Sequence, residues 1–128
     1  MRIMLVDDST TMRNIQKKIL SSLGYTEISE AGDGVQALAA FAASRPDLML
    51  VDWNMPNMDG LMLVRKIREQ DKNVLIMMVT TEAEKERVID AIKAGANNYL
   101  VKPFTAPVLC EKIEQTLAKR RPVAVASA

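Results

Sequence analysis

Two apolar runs in this chain end in carboxylates. Ile3-Met4-Leu5-Val6 runs into Asp7-Asp8, and Leu48-Met49-Leu50-Val51 runs into Asp52. Two more end in polar groups of other kinds. Val74-Leu75-Ile76-Met77-Met78-Val79 stops at Thr80, and Asn98-Tyr99-Leu100-Val101 stops at Lys102. Short continuous apolar runs read as strands buried on both faces. In a parallel sheet their ends share one rim, with neighbouring strands about 4.8 Å apart. Three carboxylates, a hydroxyl and an ammonium then converge.

Three close carboxylates repel one another and tend to hold protons unless a cation is present. A set of oxygen donors, with one or two carboxylates, a backbone carbonyl and waters, suits Mg²⁺ rather than zinc. Lys102 adds a second positive charge. Such a site is arranged for an incoming phosphoryl group, whose oxygens the metal and ammonium neutralise and to which Thr80 can donate a hydrogen bond. Asp52 can act as the nucleophile and become an acyl phosphate. The competing reading is a static ion-pair cluster, which tends to cost stability rather than add it.

The elements that must position these groups alternate along the chain. After Asp8, Ser9-Thr10-Thr11 offers helix-capping chemistry, and Met12, Ile15, Ile19 and Leu23 recur at helical spacing until Gly24. Thr26-Glu27-Ile28-Ser29-Glu30 alternates polar and apolar and reads as a half-exposed edge strand. Asp33-Gly34 turns the chain into a helix carrying Val35, Leu38, Phe41 and Ala42, which Pro46 closes. The stretch Met55-Pro56-Asn57-Met58-Asp59-Gly60 is turn chemistry leading to a helix marked by Leu61, Val64 and Ile67. A fourth helix is expected from about Glu82 to Ala94, with Val88, Ile89 and Ile92 inward and Gly95 as its stop. Thr105 and Pro107 open a fifth, with Leu109, Ile113 and Leu117 inward. Five strands alternating with five helices predict a single doubly wound α/β domain. Its parallel sheet is expected in the order 2-1-3-4-5.

Composition excludes several classes. The 128 residues suit one domain, and a formal net charge of +1 from 17 basic and 16 acidic side chains argues against a nucleic-acid binder with a broad basic surface. There is no histidine, which removes His-based zinc sites and Ser-His-Asp triads. The single cysteine, Cys110, allows no internal disulfide and fits a reducing compartment. No apolar run approaches a membrane span. A cytoplasmic protein is expected.

Asp7-Asp8, Asp52, Thr80 and Lys102-Pro103, in this order and spacing, resemble the receiver domains of bacterial two-component response regulators. Asp52-Trp53-Asn54-Met55-Pro56-Asn57-Met58-Asp59-Gly60 and Lys102-Pro103-Phe104-Thr105 are most similar to the chemotaxis group. The likeness covers residues 1–119, and residues 120–128 are expected to be a disordered tail. It implies a (βα)5 flavodoxin-like fold and a stand-alone switch rather than an enzyme. Asp52 would accept a phosphoryl group from a sensor histidine kinase. Asp8, Asp52 and the Asn54 backbone carbonyl would hold Mg²⁺, with Asp7 binding through a metal water. Lys102 would contact the phosphoryl group, and the peptide before Pro103 would be cis. Thr80 would swing toward the phosphoryl oxygen, and Tyr99 would follow from an outward to an inward rotamer. Asn54 and Glu82 would set the phosphate lifetime, while Lys85 and Lys112 would lie on the partner-binding face. With no room for an output domain after residue 119, output is expected through protein–protein contact of a monomer, above all with the flagellar motor switch. A phosphate sink, a relay or a regulator of another target is the alternative. A Mg²⁺-dependent aspartyl phosphatase is a further one, though such enzymes typically carry a second acid where this chain has Asn54.

Overall fold

The apolar runs form the strands they predict. The structure, a computed structural model, describes residues 1–119. In chain order the elements are β1 (Arg2–Val6), α1 (Thr10–Ser22), β2 (Glu27–Ala31), α2 (Gly34–Ala43) and β3 (Leu48–Val51). They continue with α3 (Gly60–Gln70), β4 (Leu75–Thr80), α4 (Lys85–Ala94), β5 (Asn98–Val101) and α5 (Ala106–Ala118). All strand pairs are parallel and the sheet order is β2-β1-β3-β4-β5. The tail expected over residues 120–128 lies outside the described residues. Among the described residues no helix is long and apolar enough to cross a membrane.

Alternation along each strand sends side chains to opposite faces. Met4, Val6, Met49, Val51, Ile76 and Met78 pack with Phe41, Leu63 and Ile67 beneath α2 and α3. Ile3, Leu5, Leu48, Leu50, Met77 and Val79 pack with Leu20, Leu109 and Ile113 beneath α1 and α5. Both faces of the central strands are therefore dry, which is why those strands read as unbroken apolar runs. The edge strand β2 is mostly exposed, as expected of a half-exposed edge; Ile28 is half-buried, and Ala31, one residue past the alternating stretch, is its one fully buried residue.

Helix ends follow their local chemistry. Ser9, Asp33, Asp59 and Thr105 each accept a backbone N–H in the first turn of α1, α2, α3 and α5. Gly24 ends α1 at φ +91°: its N–H bonds Ser21 O while that of Tyr25 reaches back to Leu20 O, a Schellman closure. The inward faces of three helices differ from expectation. On α1, Gln16 and Leu20 are buried while Ile15 and Leu23 are exposed; on α2, Ala37 and Phe41 are buried while Val35 and Ala42 are exposed. On α4, which starts at Lys85 rather than near Glu82, only Ala91 is fully buried, and Ile89 and Ile92 face outward. On α4, and in part on α2, the buried line runs through alanines, whereas α1 buries Gln16 and Leu20 and α2 also buries Phe41.

Arg68 ties the far end of this framework together. Its guanidinium donates to Gly95 O, Asp71 O and Asn97 Oδ1 at 2.9–3.1 Å, joining α3 to the turn between α4 and β5. Asn97 Oδ1 in turn accepts the Ile76 N–H of β4. Hydrogen bonds from a half-buried charge contribute more than neutral ones, and their loss strands several acceptors. Arg68→Leu is expected to cost about 2 kcal/mol, measured by urea unfolding.

Candidate functional site: an acidic crevice at the carboxyl rim

The sheet ladder continues one residue past β1 and β3. Asp7 N–H donates to Ala31 O and Asp52 N–H to Val6 O, so both aspartates leave the sheet in register. At the next strand pair, Lys102 N–H bonds Thr80 O. The expected convergence is therefore present. One carboxylate oxygen from each of Asp7, Asp8 and Asp52 lies within 4.8 Å of the others. Lys102 Nζ is 2.7 Å from Asp7 Oδ2 and 3.6 Å from Asp52 Oδ2. Asp7 and Asp52 are buried, Asp8 is exposed at the mouth, and Thr80 is wholly buried.

Asp52 is held by its neighbours. Trp53 N–H donates to its Oδ1 at 2.8 Å, and Trp53 O accepts the Gly60 N–H at 2.8 Å. Burial pushes the Asp52 carboxyl above the usual carboxylate range, and Asp7 pushes the same way; Lys102, the Thr80 hydroxyl and the Trp53 N–H oppose them. Two buried acids facing one lysine leave excess negative charge, so the donor set fits a divalent cation: hard oxygen ligands, one open side and no histidine or thiol.

The remaining candidates form a second group beside the crevice. Asn54 is exposed, and its Nδ2 donates to Glu82 Oε1 at 2.9 Å, linking the loop after β3 to the loop after β4. The Glu82 N–H donates to Thr80 Oγ1 at 3.3 Å. Tyr99 is buried, in the inward arrangement, with its hydroxyl donating to Glu82 O at 2.6 Å. Burial pushes its phenol up, Glu82 adds to this, and Arg87 works against it. Lys102-Pro103 is cis. Lys85 on α4 is exposed and Lys112 on α5 is half-buried, each apart from the carboxylates on the elements flanking β5.

Two cations that sequence reasoning missed also touch this region. An Arg13 guanidinium N–H donates to the Asp7 backbone oxygen, and the same side chain pairs with Glu30 at 3.0 Å. The Arg87 guanidinium lies over the Trp53 ring, 5.1 Å from its centroid. Both are exposed-looking helix residues in the sequence, and nothing local marks them. Cys110 is half-buried on α5, away from the residues gathered here.

Residues 3–114 match the response regulator receiver domain family. Among curated proteins, the chain is 48% identical over 117 residues to the chemotaxis protein CheY of Pseudomonas aeruginosa, covering 90% of this chain and 94% of that one. It is 51% identical over 120 residues to CheY1 of Helicobacter pylori, covering 91% and 97%. Among solved structures, CheY4 of Vibrio cholerae has a TM-score of 0.84 at 35% identity, covering 90% of this chain and 97% of that one. CheY in a CheX–CheY–BeF3–Mg complex from Borrelia burgdorferi has a TM-score of 0.87 at 27% identity, covering 91% and 88%. Receiver domains of this kind are signalling proteins that bind Mg²⁺ through an acidic pocket. A parallel five-stranded sheet of this order, an acidic crevice at its carboxyl rim and these matches together make the chain a CheY-like member of the response regulator receiver domain family.

Proposed function

We propose that this chain is a phosphorylation-dependent response regulator that accepts a phosphoryl group from a histidine kinase on Asp52. The observation that carries this reading is the pairing of the Asp7/Asp8/Asp52 cluster with Lys102 across one crevice. Mg²⁺ held by Asp8, Asp52 and the Asn54 backbone carbonyl, with Asp7 through a water, would neutralise charge on the phosphoryl oxygens. An Asp52 oxygen attacks phosphorus, the phosphorus–nitrogen bond to the kinase imidazole breaks, and that nitrogen departs with the electron pair. Lys102 then moves from Asp7 toward the new phosphoryl oxygens, and the Thr80 hydroxyl donates to one of them. Glu82 and Asn54, bonded to each other over the crevice, govern water access and so the lifetime of the acyl phosphate.

Output is by protein binding. The modified aspartate adds about −1.5 to −2 charges within reach of Thr80 and Lys102, contacts that exist in one state only and so shift a two-state equilibrium. Tyr99 reports that shift to the face formed by α4, β5 and α5, which carries Lys85 and Lys112 and leaves Ile89, Ile92, Val101 and Val108 exposed. The relatives' names point to chemotaxis; the target in this reading is a flagellar motor switch protein, bound by a cytoplasmic monomer.

Trp53 adjoins Asp52 and is the sole tryptophan, so its fluorescence tests the proposal. A saturable response to Mg²⁺, followed by a second response to a small phosphodonor, is expected. A protein that ignores both would refute it. The metal response also carries a pH signature. Metal binding requires the ionised carboxylate, and Asp52 protonates above the usual range. Mg²⁺ affinity should therefore weaken as the pH is lowered, and begin to weaken at a higher pH than ordinary carboxylate titration would give.

A further inference from the structure

Among the described residues, four of the five helices have a side chain capping their first turn; α4 has none, since Glu84 at its N-cap position makes no such bond. Its packing is also thin, with Ala91 alone fully buried. Half-buried Val88 packs against the core at the end of the first turn of α4, and a second side chain there makes a further contact. Arg87 lies in that turn, and its guanidinium covers the ring of Trp53 at 5.1 Å. A guanidinium stacks on an indole face through both charge and planar contact. Trp53 is a firm anchor: it is 3% exposed, and its backbone is bonded to Asp52 Oδ1 on one side and to Gly60 on the other. The loop leading into α4 carries Glu82, whose carbonyl receives the Tyr99 hydroxyl.

We propose that Arg87 is a positioning residue that clamps the first turn of α4 to Trp53, holding the Glu82 carbonyl where inward Tyr99 can bond it and so favouring the state that binds phosphoryl. The coupling rests on the phosphoacceptor reading given above; the clamp itself does not. Arg87 touches neither the carboxylates nor Lys102 in the contacts seen here. Its effect reaches Asp52 through Trp53 on one side and through Glu82 and Tyr99 on the other. Arg87 also opposes the upward shift of the Tyr99 phenol, as a cation close to that hydroxyl would.

Two measurements on wild type, Arg87→Met and Arg87→Lys test this. In the first, the unliganded proteins are compared by amide exchange. The N–H groups of Arg87 and Val88, both bonded to Glu84 O, should exchange about two- to five-fold faster in Arg87→Met, with β4 unchanged. In the second, beryllofluoride is titrated at saturating Mg²⁺ and read as the midpoint of the Trp53 response. Arg87→Met should need about two- to five-fold more beryllofluoride, Arg87→Lys should fall between it and wild type, and the midpoint for Mg²⁺ alone should stay put. A wild-type midpoint in Arg87→Met, even with a lowered melting temperature, would overturn the coupling and leave Arg87 a structural residue. Unchanged first-turn exchange would overturn the clamp. A wild-type protein that binds Mg²⁺ but not beryllofluoride would overturn the phosphoacceptor reading and the coupling together, while the exchange comparison would still decide the clamp.

Discussion

Asp52→Asn should lose the phosphodonor response completely while gaining stability in the absence of metal. The two effects have one origin. An amide cannot attack phosphorus at neutral pH, so the second Trp53 fluorescence change must vanish, a loss of at least about a thousand-fold in rate. Stability moves the other way. The Asp52 carboxyl is raised in the folded protein by burial, with Asp7 adding to it. The native state therefore holds this proton to higher pH than the unfolded chain does, and stability is lost as pH rises through the raised value. At neutral pH the ionised Asp52 burdens the metal-free fold, and asparagine removes that charge at nearly equal volume. Thermal melts without Mg²⁺ should place Asp52→Asn a few degrees above wild type. Adding Mg²⁺ should raise the wild type and leave the variant nearly unmoved, since only a species that binds the native state stabilises it. A variant that melts lower than wild type without metal would mean that Asp52 is a structural ion-pair member and not a strained acceptor.

Gly60→Ala should be the most damaging single methyl in the site region. Gly60 opens α3 and sits directly on the Asp52 peptide. A Cβ built there would lie 2.1 Å from Asp52 O and 2.9 Å from the Trp53 Cα. The obstacle is backbone, which cannot swing aside as a flexible side chain could. Either α3 retreats and breaks the Gly60 N–H bond to Trp53 O, or the end of β3 shifts and moves Asp52. A destabilisation of about 3 kcal/mol or more is expected by urea unfolding. Any folded fraction should bind Mg²⁺ more weakly. A near-neutral effect would show that the start of α3 is more compliant than this packing implies.

Much of the fold is legible because a doubly wound sheet writes its central strands plainly. A strand covered on both faces must be apolar throughout, so β1, β3 and β4 stand out, and the first polar residue after each lies on the rim by geometry alone. The gathering of Asp7, Asp8, Asp52, Thr80 and Lys102 follows from that, without any knowledge of side-chain contacts. Helix faces are harder to read. On α1 Gln16 and Leu20 are buried, on α2 Ala37 and Phe41 and on α4 Ala91, while Ile15, Val35, Ile89 and Ile92 face out. A helix that buries an alanine or a glutamine and exposes an isoleucine or a valine hides part of its inward face from a hydrophobicity pattern. The contacts between loops are less legible still. Asn54 with Glu82, Arg87 with Trp53 and Asp33 with Asn57 join residues 24 to 34 positions apart, and no local periodicity connects them. Their positions depend on the crossovers, which are known only once the sheet order is built.

The hydrogen bond from Trp53 N–H to Asp52 has a stereochemical consequence. A free carboxylate has two equivalent oxygens, but here one, Oδ1, is engaged by the following peptide, and the other, Oδ2, looks toward the Lys102 ammonium at 3.6 Å. The backbone itself thus desymmetrises the carboxylate. On the proposed phosphoacceptor reading, one oxygen would serve as a fixed pivot and the other would meet the incoming electrophile, so bond formation would proceed along a single approach line, chosen by the fold before any donor arrives.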